Sequence, residues 1–260
     1  MKKTTWMRNI ALAAMCLALL AGCSKKETPE EQPAASPAAA SAPATPIDPA
    51  TAATVAGTVK FDGAAPKAAK IDMSQDANCK GTNTAEGVVV SDGHLANVFV
   101  YVKEGLGGRT FDTPKEPVTL NQSGCKYHPH VLGAMAGQTI KVVNGDPTTH
   151  NIHPVPHAGS GNREWNESQA PQTAPLEKSF AREEVMLPVQ CQQHPWMKMY
   201  ISVVKSPFYA VSGPDGKYEL KGLPPGDYTL AFVHEKLGEQ VQKVTLAAKD
   251  SKTVDVSFKQ

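Results

Sequence analysis

The sequence predicts an all-β fold. From Thr54 onward no apolar pattern of helical period runs longer than a turn or two. Short alternating or β-branched runs take its place, bounded by Gly, Pro, Asn and Asp. Strand runs at this spacing, with turn signals between them, indicate a sandwich or Greek-key barrel. Hydrophobic residues make up 41% of the 260, so a sizeable core can form and wholesale disorder is excluded. Lys plus Arg number 26 against 25 Asp plus Glu, a formal charge of +1. That balance argues against a nucleic-acid binder, which carries a basic excess or stripe.

In chain order the first run is Ala53–Phe61, closed by the turn pair Asp62-Gly63. A second turn pair, Asp92-Gly93, precedes Asn97–Lys103; Thr139–Val143 and Tyr200–Val204 follow. Asp215-Gly216 introduces Lys217–Leu220, and Tyr228–Val233, Gln242–Leu246 and Thr253–Phe258 complete the set. Asp-Gly is a strong hairpin signal because both central residues of a tight turn need a left-handed backbone. Pro154–Glu177 is long and polar with little strand signal, and reads as a loop.

The ends of the chain differ from its body. Lys2, Lys3 and Arg8 precede the apolar stretch Ile10–Leu20, too short to span a bilayer, so residues 1–22 read as an export signal. Leu20-Ala21-Gly22-Cys23 resembles the lipobox of bacterial lipoproteins. That resemblance implies cleavage before Cys23, lipid on its thiol, and, with Ser24 following, an outer-membrane anchor facing the periplasm. Contact with the membrane is then through the lipid alone. Residues 23–53 are rich in Ala, Pro, Ser, Thr and Glu and read as a tether of roughly 90 Å at most.

Chemistry concentrates in Cys191-Gln-Gln-His194-Pro-Trp196-Met197. A thiol, an imidazole and a thioether at successive three-residue steps can wrap around one point, and that soft-to-borderline set selects copper. A further imidazole is needed, and the strand-and-loop Gly137–Asn144 followed by Asp146-Pro-Thr-Thr-His150-Asn151 can supply it. Zinc is disfavoured because it takes four strong ligands and seldom uses Met. A catalytic cysteine is disfavoured because nothing before Cys191 resembles a nucleophile-activating helix.

Tyr127-x-Pro129-x-Val131, Gly137, Ile140, Val142, Asn144, His150-Asn151 and the downstream Cys191-x-x-His194-x-x-Met197 together resemble the cupredoxin, or small blue copper, family. The compact last loop is most similar to amicyanin; plastocyanin has a longer final spacing. The resemblance implies one type 1 copper ion held in a plane by His150, Cys191 and His194, with Met197 as the weak axial ligand. Met199 is the rival for that axial place. Asn151 is implied to tie the first ligand loop to the cysteine loop, and His194 to lie near the surface as the electron's exit edge. His153 and His130 are candidates for a second metal-accessible position, with His128 and His157 nearby.

With Cys16 lost with the leader, Cys23 lipidated and Cys191 on metal, Cys79 and Cys125 remain to pair, as expected in an oxidising compartment. Their bridge is worth roughly 4 kcal/mol on the chain-entropy model. Pairing either with Cys191 would abolish the copper site.

A second pattern is Asp215-Gly216-Lys-Tyr218-Glu-Leu220 followed by Leu223-Pro-Pro-Gly226-Asp-Tyr228. It resembles the carboxypeptidase regulatory-like (transthyretin-like) sandwich. That family's opening strands are similar to Gly57-Thr-Val59 with Gly63-Ala-Ala-Pro66, and to Asn97-Val-Phe-Val100-Tyr-Val102. The implied organisation is a split sandwich of residues 54–112 and 206–260 with a cupredoxin domain, 113–205, inserted; two sandwiches in tandem are the simpler arrangement. The reading is an envelope-anchored electron carrier rather than an enzyme, exchanging single electrons with unidentified redox partner proteins of the envelope. Its rivals are a copper carrier or store, and a metal-free envelope interaction module.

Overall fold

The structure, a computed structural model, describes residues 43–260. The expected leader 1–22, the lipidated Cys23 and the tether up to residue 42 lie outside the described residues. Among the described residues every regular element is a strand.

The first core lies between two sheets. One is organised on Ala53–Asp62, which pairs antiparallel with Lys217–Leu223 and His94–Leu95 and parallel with Ser251–Thr253 and Val256–Lys259. The other runs Tyr209–Val211, Phe99–Glu104, Gly226–His234, Gly238–Leu246. Between them Val55, Val100, Phe208, Leu220, Leu230 and Phe232 are buried. Asp92 and Gly93, with φ of 49° and 75°, turn Val90–Ser91 into His94–Leu95, as the Asp-Gly signal predicts.

The chain leaves this sandwich after Phe99–Glu104 and returns through Tyr209–Val211, which pairs antiparallel with it, Tyr209 opposite Tyr101. Entry and exit are therefore neighbours, and the intervening chain builds a second sandwich. One of its sheets runs Leu176–Lys178, Ile140–Asn144, Val118–Ser123, Lys126–His128; the other runs Glu167–Gln169, His150–Pro154, Glu184–Gln190, Lys198–Val204, Val131–Met135. Leu120, Val142, Ile152, Leu187, Met199 and Ile201 fill the space between. Phe99, Val131, Met186 and Val204 form a third apolar cluster where the two sandwiches meet. A Cβ on Gly133 would stand 2.4 Å from the Tyr209 ring, so that close approach requires glycine.

Two boundaries depart from the sequence expectation. Ile47 packs on the first core and the Thr45 N–H donates to the Thr110 carbonyl at 2.7 Å, so the C-terminal part of the expected tether 23–53 belongs to the folded body. Residues 70–84, expected within the first sandwich, belong to the second: Lys70–Ile71 pairs with Asn83–Thr84, and Met73 and Cys79 enter the second core. The reason is covalent, because Cys79 is bridged to Cys125 with 5.5 Å between their Cα atoms. Cys191 is a free, buried thiol.

Candidate metal centre

Two adjacent strand ends carry the site. His150 opens the strand His150–Pro154, whose C-terminal part pairs with Glu184–Gln190; Cys191 follows that partner strand directly. The loop after Cys191 is a closed turn: the Met197 carbonyl accepts the Cys191 N–H at 3.1 Å and the Met197 N–H donates to the His194 carbonyl at 2.8 Å. Pro195 lies within the turn, where its missing N–H costs no bond. The loop thus folds His194 back over Cys191.

The side-chain atoms converge. His150 Nδ1 and His194 Nδ1 are 2.9 Å apart, Cys191 Sγ is 3.7 Å from His194 Nδ1, and the three donor atoms lie within 4.8 Å of one another. The outer nitrogens are both engaged by carboxylates. His150 Nε2 faces Asp146 Oδ2 at 2.8 Å, and His194 Nε2 faces Asp76 Oδ2 at 3.0 Å. A carboxylate only accepts, so each Nε2 carries a hydrogen, and an imidazole without a second proton turns its Nδ1 lone pair inward. Two lone pairs and a sulfur facing one point repel unless a cation lies among them. Metal–nitrogen bonds of about 2.0–2.1 Å span such separations. Thiolate with imidazoles suits copper, so the residues fit the metal that the sequence implies.

Asn151 fastens the two strand ends. Its Oδ1 accepts the N–H groups of Gln192 (2.7 Å) and Gln193 (3.3 Å), and its own N–H points at Cys191 Sγ at 3.4 Å. The Tyr127 hydroxyl donates to the Asn151 carbonyl at 2.5 Å. Burial pushes the Tyr127 phenol far above its ordinary range, with Cys191 adding to the effect, so it stays a donor. For His150, burial outweighs the bond to Asp146 and moves the imidazole below its usual value, towards the neutral form a metal needs. At Asp76 the Thr148 hydroxyl, the Asn78 N–H and then His194 hold the carboxyl well below the usual carboxylate range.

The structure thus brings His150, Cys191, His194 and Asn151 together and places Met197 on the same loop, buried at 1% exposure. Met199, its rival, is fully buried one step further on, paired with Val189 across the sheet. His194 departs from expectation. The resemblance implies a surface edge, but the ring is 3% exposed because Asp76 lies over it. His153 and His130 have separate partners: His153 Nε2 bonds Glu164 at 2.6 Å, and His130 Nε2 bonds Glu235 of the first sandwich at 2.6 Å. Trp196 donates to the Cys125 carbonyl at 3.1 Å, lies 5.1 Å from the His194 ring, and lines a cleft of about 260 Å³ with Lys126, His130 and Glu235.

Sequence reasoning missed Asp76 and gave Asp146 no role. Asp146, four residues before His150 in the ligand loop, was findable from that spacing. Asp76 is found only through the disulfide, which brings the segment three residues before Cys79 to the site.

Residues 194–259 match the family model of the carboxypeptidase regulatory-like domain. The match opens inside the Cys191–Met197 loop and takes in Lys198–Val204, a strand of the second sandwich. Among solved structures, parts of the chain are similar to a copper-containing nitrite reductase from Thermus scotoductus SA-01, at 22% identity over 38% of this chain and 24% of that one, TM-score 0.32. Amicyanin from Paracoccus versutus is 20% identical over 40% of this chain and 96% of its own, TM-score 0.30. A purple cupredoxin from Nitrosopumilus maritimus is 21% identical over 33% and 98%, TM-score 0.28. The chain therefore spans about a quarter of the reductase's length. No curated protein matches it.

Proposed function

We propose that the chain is a copper protein that passes single electrons between partner proteins of the bacterial envelope, tethered there by lipid on Cys23. The observation that carries this reading is the inward convergence of His150 Nδ1, His194 Nδ1 and Cys191 Sγ while both outer nitrogens are held by carboxylates. When bound, copper supplies a one-electron change between Cu(II) and Cu(I). Cys191 would hold the ion as a thiolate, with His150, His194 and Met197 as the further donors.

The surrounding residues keep that frame in one arrangement. Asn151 holds the cysteine loop by its N–H groups, so the thiolate cannot swing away when charge changes. Burial of all three donors excludes water, which would otherwise add ligands and reorganise on each electron transfer. A fixed, dry frame suits repeated one-electron exchange and leaves no open position for turning over a substrate. The tether and lipid anchor, read from residues 1–53, would let the folded part reach both membrane-bound and soluble partners.

The test is copper titration of the folded chain with visible spectroscopy. One tight equivalent with intense thiolate-to-Cu(II) absorption is expected, and Cys191→Ser should lose the colour and most of the affinity. A wild-type chain that stays colourless with Cu(II) would reject the reading. Several weak equivalents without that band would favour a copper store.

A further inference from the structure

Segment 72–79 is a strap. Asp72 Oδ1 accepts the Ser74 N–H at 2.9 Å, Asp76 Oδ1 accepts the Asn78 N–H at 2.8 Å, and the Cys79 N–H donates to the Asp76 carbonyl at 3.0 Å. Asn83 Nδ2 donates to the Gly124 carbonyl at 2.8 Å, and the Cys79–Cys125 bridge anchors the end covalently. Asp76 Oδ2 is thereby presented to two donors at once, the Thr148 hydroxyl at 2.6 Å and His194 Nε2 at 3.0 Å. The other imidazole is treated alike from the far end of the same bridge. Asp146 accepts the N–H groups of Gly124 (2.6 Å) and Cys125 (2.8 Å) while bonding His150. One disulfide therefore ties together the two carboxylates that hold the two imidazoles.

We propose that Asp76 is a positioning residue for the copper site: it fixes the His194 ring with Nδ1 inward, adds negative charge at its outer edge, and closes that edge from solvent. This rests on the copper reading above. The chemistry is a carboxylate on the remote nitrogen of a ligating histidine, which sets the tautomer and raises the basicity of the donor. Negative charge there stabilises Cu(II) more than Cu(I), so Asp76 lowers the reduction potential. The strap covers the outer edge of His194. Trp196, half-buried and 5.1 Å from the His194 ring, is the aromatic group that connects it to the cleft between the sandwiches.

The experiment uses the full folded chain as wild type, Asp76→Asn and Asp76→Ala, each titrated with copper and measured for colour and reduction potential. Asp76→Asn keeps an acceptor for His194 Nε2 but removes the charge. It should retain affinity close to wild type and shift the potential upward. Asp76→Ala removes both, and its copper affinity should fall about 10–100-fold, the usual loss for such a supporting partner, with the potential also raised. A merely structural Asp76 would leave the potential of a folded, copper-retaining Asp76→Asn unchanged, and that result overturns the proposal. A coloured wild type with Asp76→Ala equal to it in affinity and potential also overturns it while leaving the copper reading intact. A colourless wild type overturns both.

Discussion

The sandwich of Ala53–Asp62, Val90–Glu104 and Tyr209–Lys259 closes over Val55, Phe208, Leu220, Leu230 and Phe232, with few buried polar residues, Ser212 and His234 among them. The sandwich between those segments buries Gln122, Gln138, Asn144, His150, Asn151, Gln169 and His194. A buried polar group is costly unless bonded. The second interior answers with a network: Gln122 Nε2 donates to Gln169 Oε1 at 2.7 Å, Gln169 Nε2 to the Val142 carbonyl at 3.1 Å, and Asn144 Nδ2 to the Gln169 carbonyl at 2.9 Å. That network runs under the strand end bearing His150, opposite Gln169. The first sandwich is held by apolar burial; the second gives part of its interior to orienting a site.

The largest expected effect should separate the two. Phe232 is fully buried and meets the Tyr218 ring edge-on at 5.3 Å. Phe232→Ala should cost about 3–5 kcal/mol, read by denaturant unfolding of the copper-free chain. Copper affinity and colour of the folded fraction should stay at wild-type values, since Phe232 belongs to the first core. A matching loss of copper affinity would mean that the sandwiches are not independent.

Asn151→Ala reverses the pattern. It removes the acceptor of the Gln192 and Gln193 N–H groups, which are only partly buried, so stability should fall by about 1 kcal/mol, the low end for a lost partner. Copper affinity should fall about 10–100-fold, measured by competition with a chelator. Wild-type affinity in this variant would mean that the Cys191–Met197 loop holds its shape unaided.

Legibility in the sequence follows the same division. Strand existence could be read because alternation and Asp-Gly turns are local, and the cysteine–histidine–methionine loop because its donors lie within one turn. The Cys79–Cys125 bridge was found by assigning every other thiol a fate. Pairings of distant segments, Ala53–Asp62 with Lys217–Leu223 and Phe99–Glu104 with Gly226–His234, leave no local trace; only the resemblance of both flanks to one family pointed to them. We infer from them that one sandwich is interrupted by the other. Asp76 was hidden for the same reason. A carboxylate in a polar turn looks solvated until a covalent tie brings it to His194. The expected exposure of His194 failed because a loop resemblance carries no information about what another segment lays over it.

The smallest expected effect lies at the first sandwich's one buried imidazole. His234 Nδ1 accepts the Lys236 N–H at 3.2 Å, while its Nε2 is buried without a partner. Burial pushes the ring down from 6.5 to about 4, against the pull of Glu235 and with the help of His130 and Lys236. The folded state therefore binds this proton more weakly than the unfolded chain. Its contribution is present in full above the unfolded value and is lost as pH falls from about 6.5 toward 4. His234→Gln keeps an acceptor for Lys236 but does not titrate, so its unfolding midpoint should depend less on pH than wild type across that window. Glu235 sharpens the assignment. Burial raises its carboxyl, but the bonds from His130 and Tyr200 bring it below its ordinary 4.5, so its own loss comes at lower pH. A variant as pH-sensitive as wild type between 6.5 and 4 would place the titration outside the first sandwich, among the polar groups of the second.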